Sequence, residues 1–360
     1  MIADQCFTRE WISARQAELG GGDPTLIEKT IHAFALVGHL VQRGVPLVFK
    51  GGSSLLLRLP RPRRLSIDVD ILCPLPDREL DSVLAEVARS RPFLRYEEDA
   101  RDPNRLPARR HFKFFYTPLD PNNPAPRVLL DVVSEKPVHP HCGLVPIQSP
   151  LFVMDQELRV EVPTIESLLG DKLTAFAPST VGIPCNENTA MHVMKQLFDV
   201  GSLFDAATDF SAVAQAYEAI FTAENRYRGG RFTGKQALED TVETARRLCH
   251  CGLKGAVTHE HQPLLEQGRR ALGSHLIGTT FTNSEAKVAA AKAAFLASAL
   301  RDGNPQQLDG GFRYDPQTAT RLAAVKLGDP VLQRLRGGNP EAFHFWSLAL
   351  ALVTPSPART

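Results

Sequence analysis

The chain is short of the features that mark export, membrane insertion or a disulfide scaffold. Its six cysteines, at 6, 73, 142, 185, 249 and 251, show no paired CxxC spacing, which suits free thiols in a reducing compartment. No stretch is apolar for long enough to cross a bilayer; residues 343–353 are too few, and the run begins beside His344. The opening residues carry Asp4 early and lack a basic end followed by an apolar run, so no secretory signal is expected and a cytoplasmic location is. A net charge of +1 gives no global pull toward nucleic acid or an anionic surface, so any such binding must rest on local clusters. Repeats and low-complexity tracts are absent too, and the proline-rich end near Pro355 reads as a frayed tail.

The clusters His139, His141, Cys142 and Cys249, His250, Cys251 invite a zinc reading. Neither has the two to four residues between paired ligands that structural zinc sites use. Surface histidines and small buried thiols explain them better.

What is present is an ordinary globular composition, 43% hydrophobic and 22% charged, in a chain long enough for two or three domains. Residues 24–43 carry Ile27, Ile31, Phe34, Ala35 and Leu40 at helical spacing, ended by Gly44. Strands are expected at 47–49, 65–71, 93–97, 111–116 and 127–133, with helices at 55–58 and 77–89 and a proline-rich excursion at 118–126. Ser53 or Ser54 is the expected cap of the first of those helices. From Pro163 onward strand alternation disappears and helical spacing runs to Val353. The expected architecture is α+β, with a small mixed sheet and helices over 1–160 and an all-helical domain over 161–360.

The most informative order of residues is Gly51-Gly52-Ser53-Ser54 followed by Ser66-Ile67-Asp68-Val69-Asp70-Ile71. Strand alternation sends Ser66, Asp68 and Asp70 to one face and Leu65, Ile67, Val69 and Ile71 to the other. Two close carboxylates repel unless something positive lies between them. The glycine turn leads from a strand into a helix N-terminus, whose open N–H groups and a serine hydroxyl can receive phosphate oxygens. Asp68 and Asp70 supply hard oxygen ligands for Mg2+ or Mn2+. Asp131, the only acid in the apolar strand 127–133, is the expected third carboxylate and general base; a solvent-facing strand end is the competing account.

These residues carry a resemblance. Phe49-Lys50-Gly51-Gly52-Ser53-Ser54-Leu55 and Arg64-Leu65-Ser66-Ile67-Asp68-Val69-Asp70 resemble the AbiEii/AbiGii-type, MenT-like toxin branch of the polymerase β-like nucleotidyltransferase superfamily. The helix around Glu166-Ser167-Leu168-Leu169-Gly170-Asp171-Lys172-Leu173 is similar to that branch's lysine helix, and Lys195-Gln196-Leu197-Phe198-Asp199 to its basic-to-Asp helix, with Gln196 where an acid is frequent. The resemblance spans 47–205. It implies a polymerase β-like nucleotidyltransferase fold whose helical domain, carrying Lys172 and Asp199, closes the cleft. It implies a metal-dependent enzyme that moves NMP from an NTP to an acceptor hydroxyl and releases pyrophosphate. It further implies a toxin of a toxin-antitoxin or phage-defence pair, with an antitoxin partner and an RNA acceptor, in some members the tRNA 3′ end.

Lys172 stands out by itself, because it falls near the middle of the apolar arc of 164–176. Either it snorkels to solvent or it meets a triphosphate. Asp199 is either a site residue or an i,i+4 partner of Lys195. The expected contacts of the nucleotide are Gly51, Gly52, Ser53, Ser54, Arg64, Ser66 and Lys172, with Asp68, Asp70 and Asp131 on the metal and Asp199 orienting Lys172. Arg58, Arg61, Arg63, Arg64 and then Arg101, Arg105, Arg109, Arg110, His111, Lys113 could form a track for an RNA backbone. Charged, solvated loops and strand edges account equally well for the second group. Two other readings remain at this point. An Asp-x-Asp after an apolar strand also serves metal-dependent glycosyltransferases, and a nucleotidyltransferase-like fold can persist as a non-catalytic RNA- or antitoxin-binding module.

Overall fold

The computed structural model describes every residue except 62, 100–106, 108, 124–125, 135–137, 258, 304–307, 309–311, 318–321, 323 and 354–360. Arg101, Arg105 and the proline-rich end therefore lie outside the described residues. The chain divides into two compact units, one made of Met1–Thr164 with Ser274–Thr280, the other of Ile165–Gly273 with Phe281–Thr360.

The first unit is built on a mixed sheet. In chain order it contains α1 (Arg9–Glu18), α2 (Pro24–Gln42), β1 (Val48–Lys50), α3 (Gly51–Arg58), β2 (Asp68–Leu72), α4 (Asp77–Ala88), β3 (Phe93–Glu98), β4 (Arg109–Tyr116), β5 (Arg127–Val133), β6 (Cys142–Pro146) and β7 (Arg159–Pro163). The sheet order is β3-β4-β5-β2-β1-β7-β6. Strands β2 and β5 run parallel, as do β1 and β7; the remaining neighbours are antiparallel. Helix α2 starts where Asp23 accepts from the Thr25 N–H and Pro24 fits the first turn. It is buried nearly all round from Ile27 to Leu40, which makes it a core helix. Phe34 of this helix meets Phe49 of β1 edge to face, and Phe93 packs on Phe114 from the far side of the sheet order. Each such fully buried aromatic is worth about 1.5–3 kcal/mol of transfer free energy.

Two strands have no counterpart in the sequence reading. Strand β7 takes the place beside β1 and carries β6 at the sheet edge. Residues Ser274–Thr280 also belong to this unit. There the Leu65 N–H donates to the His275 carbonyl (2.7 Å) and the Ile277 N–H to the Arg63 carbonyl (2.9 Å), so the segment leading into β2 is paired on its outer edge.

The regular elements of the second unit are all helices among the described residues. The unit comprises α5 (Ile165–Ala175), α6 (Ala190–Ala206), α7 (Phe210–Tyr227), α8 (Gly234–His250), α9 (Gln262–Leu272), α10 (Asn283–Arg301), α11 (Leu335–Gly338) and α12 (Pro340–Val353). Capping boxes at Thr233 with Gln236 and at Thr282 with Glu285 fix the starts of α8 and α10. Phe343, Phe345 and Trp346 are buried as a packing face, and the Trp346 indole N–H donates to the Cys249 sulfur (3.2 Å). Burial pushes that thiol up to about 12, so it is inert as a nucleophile. On α8, Asp240 and Glu243 are both engaged. Asp240 accepts from the Ser179 N–H and the Thr180 hydroxyl, and Glu243 accepts from Arg246 and Arg247. Among the described residues, no helix is long and apolar enough to cross a membrane.

Candidate active site

Strand β2 carries the two aspartates and lies between β1 and β5. Its burial alternates as its sequence does: Val69 and Ile71 are fully buried while Asp68 and Asp70 are half-buried. The register then decides which acids meet. Asp70 pairs with Asp131 across the parallel β2/β5 edge and with Lys50 across the antiparallel β2/β1 edge, and Asp131 pairs in turn with His111 on β4. Residues paired this way share a face, with strands about 4.8 Å apart. A single row across the sheet therefore reads Lys50, Asp70, Asp131, His111, with Asp68 two residues along β2 on the same face. Asp131 is not a loose strand end.

Each acid is supported differently. His111 Nδ1 lies 2.6 Å from Asp131 Oδ1, with the two side chains 11% and 26% exposed. Asp70 has Gly51 behind it: a Cβ built at position 51 would stand 2.8 Å from the Asp70 Cγ and closer still to its Oδ2. Gly51 also has φ +73°, a conformation that glycine takes without strain. The Lys50 ammonium makes no hydrogen bond or ion pair among the described residues, although Lys50 is the register partner of Asp70.

Helix α3 begins at Gly51 itself, two residues before the expected serine cap, with Lys50 in the cap position and no side chain capping its first turn. The serines turn inward. The Ser53 hydroxyl donates to the Asp68 carbonyl (2.5 Å) and the Ser54 hydroxyl to the Gly51 carbonyl (2.9 Å), and both side chains are fully buried. Ser53 thus pins the helix start to β2, and what it offers an anion is its first-turn backbone N–H. Arg64, 7% exposed, lies against the other glycine: a Cβ at Gly52 would stand 2.7 Å from an Arg64 guanidinium nitrogen and 2.7 Å from the Ser66 hydroxyl. Gly52 is what lets Arg64 and Ser66 reach the helix start.

Among the described residues, no group of three or more His, Cys, Asp or Glu side chains is gathered to hold a metal. The donor set still fits magnesium, which is usually held by one or two carboxylates and the substrate's phosphates rather than by an all-protein cage. Asp70 and Asp131 provide the adjacent pair of carboxylates, with Asp68 on the same face.

In the second unit, Lys172 on α5 is 5% exposed and Asp199 on α6 is 1% exposed. The Lys172 ammonium stands 3.9 Å from Asp199 Oδ2 and 3.9 Å from Asp171 Oδ2. Lys172 does not snorkel, and Asp199 is within ion-pair reach of it.

A family model for the nucleotidyl transferase AbiEii toxin of type IV toxin-antitoxin systems matches residues 35–304. The chain belongs to the AbiEii family. No curated protein matches it. Among solved structures it is similar to MenT4, a nucleotidyltransferase toxin from Mycobacterium tuberculosis H37Rv, at 17% identity and TM-score 0.49, covering 92% of this chain and 98% of that one. It is also similar to JHP933 from Helicobacter pylori, at 12% identity and TM-score 0.44, covering 85% of this chain and 96% of that one. As an AbiEii nucleotidyltransferase toxin, the chain has a cognate antitoxin and an NTP substrate implied by its family.

For this AbiEii protein the basic clusters divide. The Arg58 guanidinium donates to the carbonyls of Pro163, Gly143 and Val162, which ties α3 to β6 and β7. Arg110 is clamped by Glu98 and Asp81 and stacks on Phe112; Lys113 pairs with Asp99 (2.8 Å). These cations serve the fold. Arg61, Arg63 and Arg109 remain exposed. In the sequence His111 falls within the expected RNA track and Lys50 carries no expected role. The signal for both was the strand register, which pairs residues far apart in the chain.

Proposed function

We propose that this AbiEii toxin is a magnesium-dependent enzyme that transfers NMP from an NTP to a terminal hydroxyl of RNA, the tRNA 3′ end being the acceptor class its family suggests. The observation that carries this reading is the register of Asp70 with Asp131 on adjacent parallel strands, beside a helix that starts uncapped at Gly51. Magnesium bound with the triphosphate supplies charge neutralisation and polarises the α-phosphate.

The side chains then divide the work. Asp68 and Asp70, with Asp131, would hold the metal-triphosphate, and Asp131 takes the proton of the acceptor hydroxyl. The hydroxyl oxygen forms a bond to the α-phosphorus, the bond from that phosphorus to the bridging oxygen breaks, and pyrophosphate leaves with the electron pair. Backbone N–H groups at Gly52 and Ser53, in the open first turn of α3, receive phosphate oxygens with the positive end of the helix dipole. Arg64 and Ser66, packed against Gly52, are placed to add a guanidinium and a hydroxyl to the same group. Lys172, buried in the helical unit 3.9 Å from Asp199 Oδ2, would serve as a triphosphate contact oriented by Asp199. A cytoplasmic site of action and a role in phage defence fit an RNA-modifying toxin.

The test is to incubate the purified protein with total RNA, magnesium and each labelled NTP, and to locate the label. Label on an RNA terminus, lost in Asp68→Asn, Asp70→Asn and Asp131→Asn variants that still fold, supports the reading. Undiminished incorporation by those variants, or turnover of a nucleotide sugar but of no NTP, overturns it.

A further inference from the structure

We infer that His111 is a positioning residue for this transfer, holding the Asp131 carboxylate so that one oxygen is turned to the acceptor hydroxyl; the inference rests on Asp131 being the general base. His111 and Asp131 are cross-strand partners on β4 and β5, so their side chains leave the same face of the sheet. The 2.6 Å separation is just shorter than the usual range of about 2.7–2.9 Å for a charge-assisted N–H···O bond. An ionised carboxylate only accepts, so the hydrogen of this bond sits on Nδ1.

The terminal torsion of aspartate is broad, and an unheld carboxylate presents its two oxygens over a wide range of angles. A bond to Oδ1 removes that freedom and leaves Oδ2. Asp131 makes no other side-chain hydrogen bond or ion pair among the described residues. His111 is itself well held, because β4 is flanked by β3 and β5 and the His111 carbonyl accepts from the Asp99 N–H at 2.7 Å. A general base must come within about 2.6–3.2 Å of the group whose proton it takes. Fixing the carboxylate's rotation therefore acts on the rate. His111 keeps its own hydrogen throughout and accepts none from the substrate.

The experiment compares His111→Leu, His111→Asn and His111→Gln with wild type and Asp131→Asn. The amide nitrogen of asparagine falls near the place of Nδ1, whereas that of glutamine falls near Nε2. His111→Leu is expected to lower kcat by about 10- to 100-fold, the usual cost of losing such a supporting partner, with KM for the NTP close to wild type. His111→Asn should recover most of the loss and His111→Gln should not. A second measurement needs no turnover: the ring nitrogens of His111 in the metal-free protein, read by 15N NMR, should show hydrogen on Nδ1, with a resonance that moves in Asp131→Asn. That spectrum decides alone if the His111 variants fail to fold. Wild-type kcat in His111→Leu beside an inactive Asp131→Asn, recovery by glutamine as good as by asparagine, or an Nδ1 without hydrogen overturns the positioning role. Full activity in Asp131→Asn fails differently, since it removes the general base and the inference with it.

Discussion

Gly51 stands directly behind the Asp70 carboxylate, so close that no side chain at position 51 could share the space with Asp70 Cγ, 2.8 Å from where a Cβ would be. Two requirements meet at one residue, because Gly51 also holds φ +73°. An alanine there costs about 1–2 kcal/mol in backbone conformation alone. It must also push Asp70 out of its row with Asp131. Gly51→Ala is therefore expected to lose far more activity than stability. Displacing a reacting group by about 1 Å can cost on the order of 100-fold in rate. Nucleotide incorporation and thermal unfolding measured on the same preparation check this; wild-type incorporation would show that Asp70 need not stay where it is.

Lys50 gives a prediction of a different kind. It is half-buried, it is the register partner of Asp70, and its ammonium has no partner among the described residues. A lysine cation on the same sheet face as Asp68 and Asp70 is placed to meet an anion bound there. Lys50→Met should raise KM for the NTP by about tenfold, the value of one charge-assisted contact of about 1.5 kcal/mol, with a smaller change in kcat. Steady-state kinetics over NTP concentration separate the two. An unchanged KM would leave Lys50 with the metal or with the fold.

Much of this site can be read in the sequence, for a physical reason. Period-two alternation is a local property, so the shared face of Asp68 and Asp70 and the isolation of Asp131 among apolar neighbours are visible without coordinates. The helix start was displaced because glycine's freedom at Gly51 lets α3 begin on the turn itself, leaving the serines to bond inward. Strands β6 and β7 are five residues each, and β6 contains Gly143 and Pro146, so neither carries a strong local signal; their partners decide them. The same holds for His111. Nothing within a few residues of it points to Asp131, and only the β4/β5 register does. Lys172 was legible as a cation inside an apolar arc, but its closeness to Asp199 depends on how α5 packs on α6.

That packing can be tested within the helical unit. Lys172 and Asp199 are both buried, and removing one member of a buried pair strands the other charge, at a cost of about 3–5 kcal/mol when the pair is tight. At 3.9 Å, with Asp171 also 3.9 Å from the ammonium, the lower end of that range is expected for Asp199→Leu. Lys172→Met with Asp199→Leu should recover most of the loss, since an apolar pair of similar volume needs no compensation. Denaturant unfolding of the single and double variants measures the coupling. If the double variant is stable yet inactive, the pair has a role in transfer; if it is stable and active, the pair serves the fold alone.

The acid limb of stability follows from His32. Its ring is stacked on Tyr116 with centroids 3.7 Å apart, Nδ1 donates to the Glu28 carbonyl (2.8 Å), and burial pushes its pKa from 6.5 down to about 4. Above pH 6.5 the imidazole is neutral in both folded and unfolded chains and contributes no pH dependence. Between pH 6.5 and about 4 the unfolded chain takes up a proton that the folded one refuses, so stability falls as the pH is lowered. The full loss is on the order of 3 kcal/mol. His39, also lowered by burial, adds to this slope, whereas Glu28, raised by burial, opposes it just above the ordinary carboxylate range. His32→Phe separates His32 from these neighbours, because it removes the titrating group and keeps an aromatic ring against Tyr116. Denaturant midpoints at pH 7.5, 6 and 5 should fall steeply in wild type and less in the variant; parallel curves would mean that His32 is not the group that sets the acid limb.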